Sequence, residues 1–524
     1  MLPHFSEGTH MDRDDIPPID TAAKPTRRGL WTGAAALAPA AALAMTEAHA
    51  ATPNRSALRR IVDRQKDENV ALLQDWIRNP TIAAEQLNVQ EGAEYMARLA
   101  RDAGFQTTEI VRTDGSPGVW ATLDVGAPKT LAVYFMYDVK QFNPAEWSSP
   151  PLEARLVDNE LGRVVVGRGA VNQKGPEIAF LGALRALRAA GRQPPVNVVL
   201  ICEGEEEIGS PHFHQIARKP HILPRLQQSA GVFIPSAWQD PTTGGVAVNL
   251  GAKGIIECEL IASGARWGRG PTRDIHSSTK AMIDAPVWRL VRALDTLTSE
   301  DGNTPAIDGW FENVRPLTER ERELIRTNAR NTSEADYKQR NGVTRFIDDL
   351  PWAEALERLA SQPTVNIEGL VAGYTGPGGM TILPHRGVAK LDFRLVPNQT
   401  RAEAERKLRA HLDARGFNDI EINVSGGYDP TETAEDSAIV QAQLAVYRRF
   451  NARATLNPRL AGSWPGAVFT APPVSLPAGQ FGLGHGNGAH APNEYFLIDS
   501  NNPRVQGLSG AVMGFIDIMY EMAR

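Results

Sequence analysis

The sequence predicts an α/β fold: a domain with a mainly parallel central sheet, interrupted by an inserted second unit of α+β type. Three observations predict it. Apolar strand-like runs at Val119–Val125, Leu131–Tyr137 and Val196–Cys202 are separated by an Ala- and Leu-rich helical segment opened by Gly169–Gly175. The texture changes near Gly251 and returns to helix and loop from Ala434, which divides the chain into 51–250 with 429–524 as one domain and 251–428 as the insertion. Tyr137-Asp138, Asn172 and the run Glu203-Gly204-Glu205-Glu206-Glu207 all fall at or just past strand ends, where open α/β sheets carry their sites.

Composition narrows the class. Of 524 residues, 42% are hydrophobic and 22% charged, enough apolar material for a large core. The net charge of -6 leaves no basic footprint for nucleic acid. The body of the chain has no run of about 20 apolar residues to cross a membrane. Cys202 and Cys258, the only cysteines, each lie in an apolar run, so a disulfide framework and a thiolate metal site are excluded.

Taken in order, Thr26-Arg27-Arg28-Gly29-Leu30, the apolar stretch Ala34 to Ala44 and Ala48-His49-Ala50 have the three parts of a twin-arginine export signal over residues 1–50. The expected location is therefore periplasmic or secreted. Val70, Leu73, Trp76 and Ile77, then Met96, Leu99 and Ala100, recur at helical spacing, with breaks at Pro80 and Gly104. In the insertion, the pattern predicts a strand at Gly254–Ile261, a helix over Thr279–Leu297 and a charged helical stretch over Arg315–Gln339. Strands at Thr364–Gly369 and Ala389–Val396 and a helix over Ala402–Arg415 follow, and a closing helix runs through Met522.

The glutamate run is the feature that asks for chemistry. Directly after the apolar Val198–Cys202, it sets several carboxylates at the end of a buried strand. Such charge has to face water, meet cations, bind metal, or shift its proton affinity toward acid/base work.

Tyr134-Phe135-Met136-Tyr137-Asp138-Val139, then Gly167-Arg168-Gly169-Ala170-Val171-Asn172-Gln173-Lys174-Gly175, then Glu206-Glu207-Ile208-Gly209-Ser210 stand in a fixed order. Further on come Asp274-Ile275-His276-Ser277, Asp392-Phe393-Arg394 and Gly488-Ala489-His490-Ala491-Pro492-Asn493-Glu494. Together these resemble the aminoacylase, carboxypeptidase and carnosine-dipeptidase family of two-zinc metallohydrolases. The resemblance implies a catalytic α/β domain with an inserted lid domain that dimerises, and hydrolysis of an amide beside a carboxylate. It makes Glu206 the general base, Asp138 the carboxylate that orients the site and His276 the oxyanion donor. Glu207 and His490 become metal ligands, and Arg394 holds a substrate carboxylate through its planar fork.

The pattern also departs from that family. Met136 stands where a metal-binding histidine is expected, Asn172 where the bridging aspartate is, and Ser236 where a later acidic ligand is. Thioether, amide and hydroxyl cannot replace imidazole and two carboxylates. Asn172 is then a substrate-binding residue or a weak third ligand beside Glu207 and His490. His212, His214 and His485 are the nearby replacements, but each flanks a loop where histidines face solvent.

The expectation is an exported hydrolase that cleaves an amide or related acyl bond in a small carboxylate-bearing substrate, of dipeptidase or N-acyl amino acid hydrolase type. It would use one divalent metal, zinc or manganese, or none, and the resemblance implies a homodimer. Two other readings stay open: a non-catalytic small-ligand-binding protein, and a metal-independent enzyme of altered reaction type such as a lyase or acyltransferase. For the charge of the glutamate cluster, the candidate offsets are one metal, bound protons, Lys174 and Arg168.

Overall fold

A computed structural model describes residues 54–524. The export signal expected over residues 1–50 lies outside the described residues.

The central sheet has six strands in the order Thr107–Val111, Gly118–Leu123, Asn197–Glu203, Thr130–Met136, Val232–Pro235, Ala478–Phe481. The last four pair in parallel and the first two antiparallel, giving a parallel centre with an antiparallel edge. Both faces of the middle strands are covered, which explains their unbroken apolar runs. Val198, Leu200 and Cys202 join the cluster of Leu73, Trp76, Phe180 and Phe515. The intervening Val199 and Ile201 point the other way, toward Trp120, Tyr134, Phe213 and Phe469. The strand period of two thus sends alternate residues into two cores.

A second, antiparallel sheet matters more for function. Its order is Gly486–Asn487, Tyr495–Ser500, Gly162–Val166, Arg155–Asn159. Tyr495 is in register with Val166, so the loop before Tyr495 lies beside the loop after Val166. Sequence patterning predicted none of these four strands. Arg155–Asn159 is exposed throughout and carries no apolar alternation to read.

In the insertion, Thr364–Ala372, Arg386–Leu395, Gly254–Ser263 and Glu421–Tyr428 form an antiparallel sheet in that order. One face packs Ile256, Leu260, Leu391 and Phe393 against Leu290 and Leu408 from two helices. Two helices differ from expectation. The one expected over Thr279–Leu297 runs only over Pro286–Asp295, because proline fits the first helical turn and the preceding Ser277–Ala281 coils into a 3-10 turn. The stretch Arg315–Gln339 is two helices, Glu319–Asn331 and Glu334–Asn341. Thr318 opens the first with a capping box and the Ser333 side chain caps the second, so the chain breaks at Thr332. Among the described residues no helix is long and apolar enough to cross a membrane.

Candidate active site

The Thr130–Met136 and Asn197–Glu203 strands are parallel neighbours, so both release their chains at the same edge of the sheet. Asp138 leaves the first and the glutamate run leaves the second. Two glycines let the run turn there. At Gly204 a Cβ would lie 2.1 Å from the Tyr137 ring, and Gly209 sits at φ +88°.

Asp138 is 1% exposed and fixes the loop from below. Its Oδ1 accepts the Glu206 amide at 3.2 Å and its Oδ2 the Glu207 amide at 3.1 Å. Burial, and then the charge of Glu207, push its carboxyl up from 3.8 to about 7. Glu206 is only partly covered. Burial and the charges of Glu207, Asp138 and Glu203 hold its carboxyl well above the usual range, with Lys140 pulling the other way. A carboxyl whose proton affinity is raised by its surroundings is suited to acid/base work.

Glu207 points into a ring of donors. Asn172 Nδ2 donates to its Oε1 at 2.7 Å, and His490 Nε2 lies 3.0 Å from its Oε2. The Lys140 ammonium donates to the Glu207 carbonyl oxygen at 2.5 Å and stands 3.8 Å from Oε2. Asn172 Nδ2 is also 3.2 Å from His490 Nε2. Among the described residues, no three His, Cys, Asp or Glu side chains converge where a metal ion could be held.

The two outer loops are tied by a residue whose role sequence reasoning missed. Glu494 is buried, and its Oε2 accepts Arg168 Nη1 at 2.8 Å and the Gly169 amide at 2.9 Å. Its Oε1 accepts the Val171 and Asn172 amides, each at 2.9 Å. It thereby ties the loop of Asn172 to the segment that carries His490 four residues earlier. An acid within a histidine motif was the available signal. Glu203 forms a deeper layer: Tyr134 and Ser210 hydroxyls donate to its Oε1 at 2.8 and 2.7 Å, and Tyr428 donates to the Glu206 carbonyl at 3.0 Å.

Other expected residues lie elsewhere. Lys174 donates to the Trp76 carbonyl at 2.8 Å, and Arg168 is consumed by Glu494, so neither offsets the glutamate loop by contact; Lys140 does. His212 bonds to Glu205 at 2.8 Å, and His485 to the Gln239 carbonyl at 2.7 Å. Among the described residues His276 has no carboxylate partner; its Nδ1 accepts the Ser278 amide at 3.1 Å and lies 2.8 Å from Ser278 Oγ, and its Nε2 lies 3.4 Å from Thr381 Oγ1. Arg394 lies on the sheet of the insertion, 3.3 Å from Asp392 and donating to Ser463 Oγ at 3.0 Å. Burial and the charges of Asp392 and Glu257 raise the Glu368 carboxyl, with Arg394 and Lys140 pulling the other way.

The profile of peptidase family M20/M25/M40 matches residues 137–513. The mouse (Mus musculus) Beta-Ala-His dipeptidase is 26% identical over 411 residues, covering 74% of this chain and 80% of that protein. A Cys-Gly metallodipeptidase of Schizosaccharomyces pombe is 26% identical over 380 residues, 69% of this chain and 75% of the relative. Among solved structures, an M20 family metallo-carboxypeptidase from Sulfolobus solfataricus superposes with a TM-score of 0.76 at 31% identity, covering 87% of this chain and 99% of that one.

Proposed function

The chain belongs to peptidase family M20/M25/M40, and from that premise we propose that it hydrolyses an amide or related acyl bond in a small carboxylate-bearing substrate without a bound metal ion. The observation that carries this reading is the loop held by Asp138, which leaves Glu206 partly open with a raised carboxyl while Glu207 accepts a hydrogen bond from Asn172 and stands beside His490. The substrate class follows the relatives' names, which are those of dipeptidases and a carboxypeptidase.

Those relatives are named as metallo-enzymes in two of the three cases, so the fit of a metal has to be weighed. The donor set here does not fit one. Glu207 and His490 supply two donors, one short of the three protein ligands that a catalytic zinc takes. Asn172 turns its Nδ2 donor, not its carbonyl, toward both. Met136 and Ser236 contribute no charge or imidazole at the adjoining strand ends.

In the proposed reaction, water attacks the acyl carbon while Glu206 takes its proton, and the same carboxyl returns that proton to the departing nitrogen. Arg394 holds the substrate carboxylate from the lid side. The Asn172 side-chain carbonyl, which the contacts with Glu207 and His490 leave free, accepts a hydrogen bond from the substrate. We also propose export through the residue 1–50 signal to a periplasmic or secreted location, and assembly as a homodimer. The insertion's edge strand supports the dimer, since Ile367, Leu370 and Val371 are each at least half exposed there. His276, free of carboxylate partners among the described residues, would serve the other copy's cleft.

The test is turnover of dipeptides and N-acyl amino acids by the purified protein with and without chelator, beside Glu206→Gln. Chelator-resistant hydrolysis that disappears in Glu206→Gln is the expected result. Tight ligand binding without turnover would favour a non-catalytic binding protein instead.

A further inference from the structure

We propose that the Lys140 ammonium is the resident cation of this site, standing where a metal ion would otherwise balance Glu207, and that it donates to the carbonyl oxygen of the scissile acyl group. Lys140 follows Asp138 by two residues on the chain leaving the Thr130–Met136 strand, and both side chains reach the glutamate loop. Its ammonium spends one N–H on the Glu207 carbonyl oxygen at 2.5 Å and faces Glu207 Oε2 at 3.8 Å. An ammonium has three N–H donors, so at least one remains. The side chain is 35% exposed, so the ammonium is not sealed in the protein.

The charge accounting points the same way. Asp138, Glu206 and Glu207 lie within one loop contact of each other, and of the cations weighed for them, Arg168 and Lys174 are engaged elsewhere. Among the described residues, Lys140 is the lysine or arginine in contact with Glu207, whose carboxylate also has the His490 imidazole at 3.0 Å. A fixed positive group beside the attacked carbonyl does the electrostatic part of a metal's work without its ligand field. The step balances simply: a water oxygen bonds to the acyl carbon, its proton passes to Glu206, and the carbonyl electron pair moves onto an oxygen that Lys140 hydrogen-bonds. The pair then returns, the C–N bond breaks, and the nitrogen leaves with the proton from Glu206.

The carbonyl role rests on the hydrolase reading above, but the cation role does not, and the experiment separates them. Zinc and manganese are titrated calorimetrically into the wild type and Lys140→Ala. If Lys140 holds the cation's place, removing it frees uncompensated carboxylates, and either metal binds at least about tenfold more tightly to the variant. Equal affinities would overturn the proposal. Should Lys140→Ala fail to fold, Lys140→Gln, closer in volume, takes its place in the titration. In the turnover assay, Lys140→Met loses about a hundredfold or more in kcat, with Lys140→Arg recovering part of it. An unchanged kcat in Lys140→Met overturns the carbonyl role. If the wild type turns over nothing, the hydrolase reading fails while the titration still decides the cation role.

Discussion

Replacing Glu494 with Gln tests whether one buried carboxylate holds the two outer loops of the site together. The carboxylate accepts four hydrogen bonds, two on each oxygen, and one of them comes from the guanidinium of Arg168, itself only 3% exposed. Glutamine keeps the shape but offers a single acceptor oxygen. Whichever way its amide sits, it turns an NH2 group toward two donors and leaves Arg168 without a counter-charge. Breaking a buried ion pair from one side costs about 3–5 kcal/mol, so Glu494→Gln should lose about 4 kcal/mol of stability. Urea unfolding at fixed pH measures this. The double variant Arg168→Met with Glu494→Gln should be less destabilised than the sum of the two single changes, because the stranded charge is gone. A loss under about 1 kcal/mol in Glu494→Gln, or strict additivity in the cycle, would refute the tie.

Asp138 makes a pH-linked prediction. Its carboxyl rises from 3.8 to about 7 on folding, so its contribution is fully present below pH 3.8 and is lost as pH climbs through 7. Relative to Asp138→Asn, the wild type should therefore lose about 4 kcal/mol of stability between pH 4 and 8, and a constant gap in unfolding midpoints would contradict it. Arg394→Ala should raise KM roughly tenfold to a hundredfold with little change in kcat, since the substrate carboxylate is held alike in ground and transition states. Thr318→Ala removes a capping box and should cost about 1 kcal/mol, read as a lower Tm with kcat unchanged.

The elements legible in the sequence were those whose burial leaves a periodic mark. Val198–Cys202 read as a strand because both of its faces are packed, and the helices around Trp76 and Met96 because one face is. Thr107–Val111 and Arg155–Asn159 carry mostly half-covered or exposed residues and left no such mark. At the site, Glu206 and Glu207 were visible from their place after a buried strand. Asn172 and His490 were also visible beside Glu207, but the lysine was not, since Lys140 approaches from 67 residues earlier through a backbone carbonyl that no side-chain pattern encodes. The motif around Asn172 points instead to Arg168 and Lys174, whose side chains turn inward to Glu494 and Trp76.

The tie between Arg168 and Glu494 spans 326 residues of chain, and this has a consequence in time. At about 5–20 residues per second, roughly a quarter of a minute to a minute of synthesis separates the two partners. Throughout that interval the whole insertion is made while the Gly167–Asn172 loop has no acid to gather its amides. In the nascent first half the amides of Gly169, Val171 and Asn172 have not yet met the carboxylate that accepts them. Asp138 and Lys140 can meet the glutamate loop early, whereas the Asn172 and His490 side of the site is completed only after the insertion has been made.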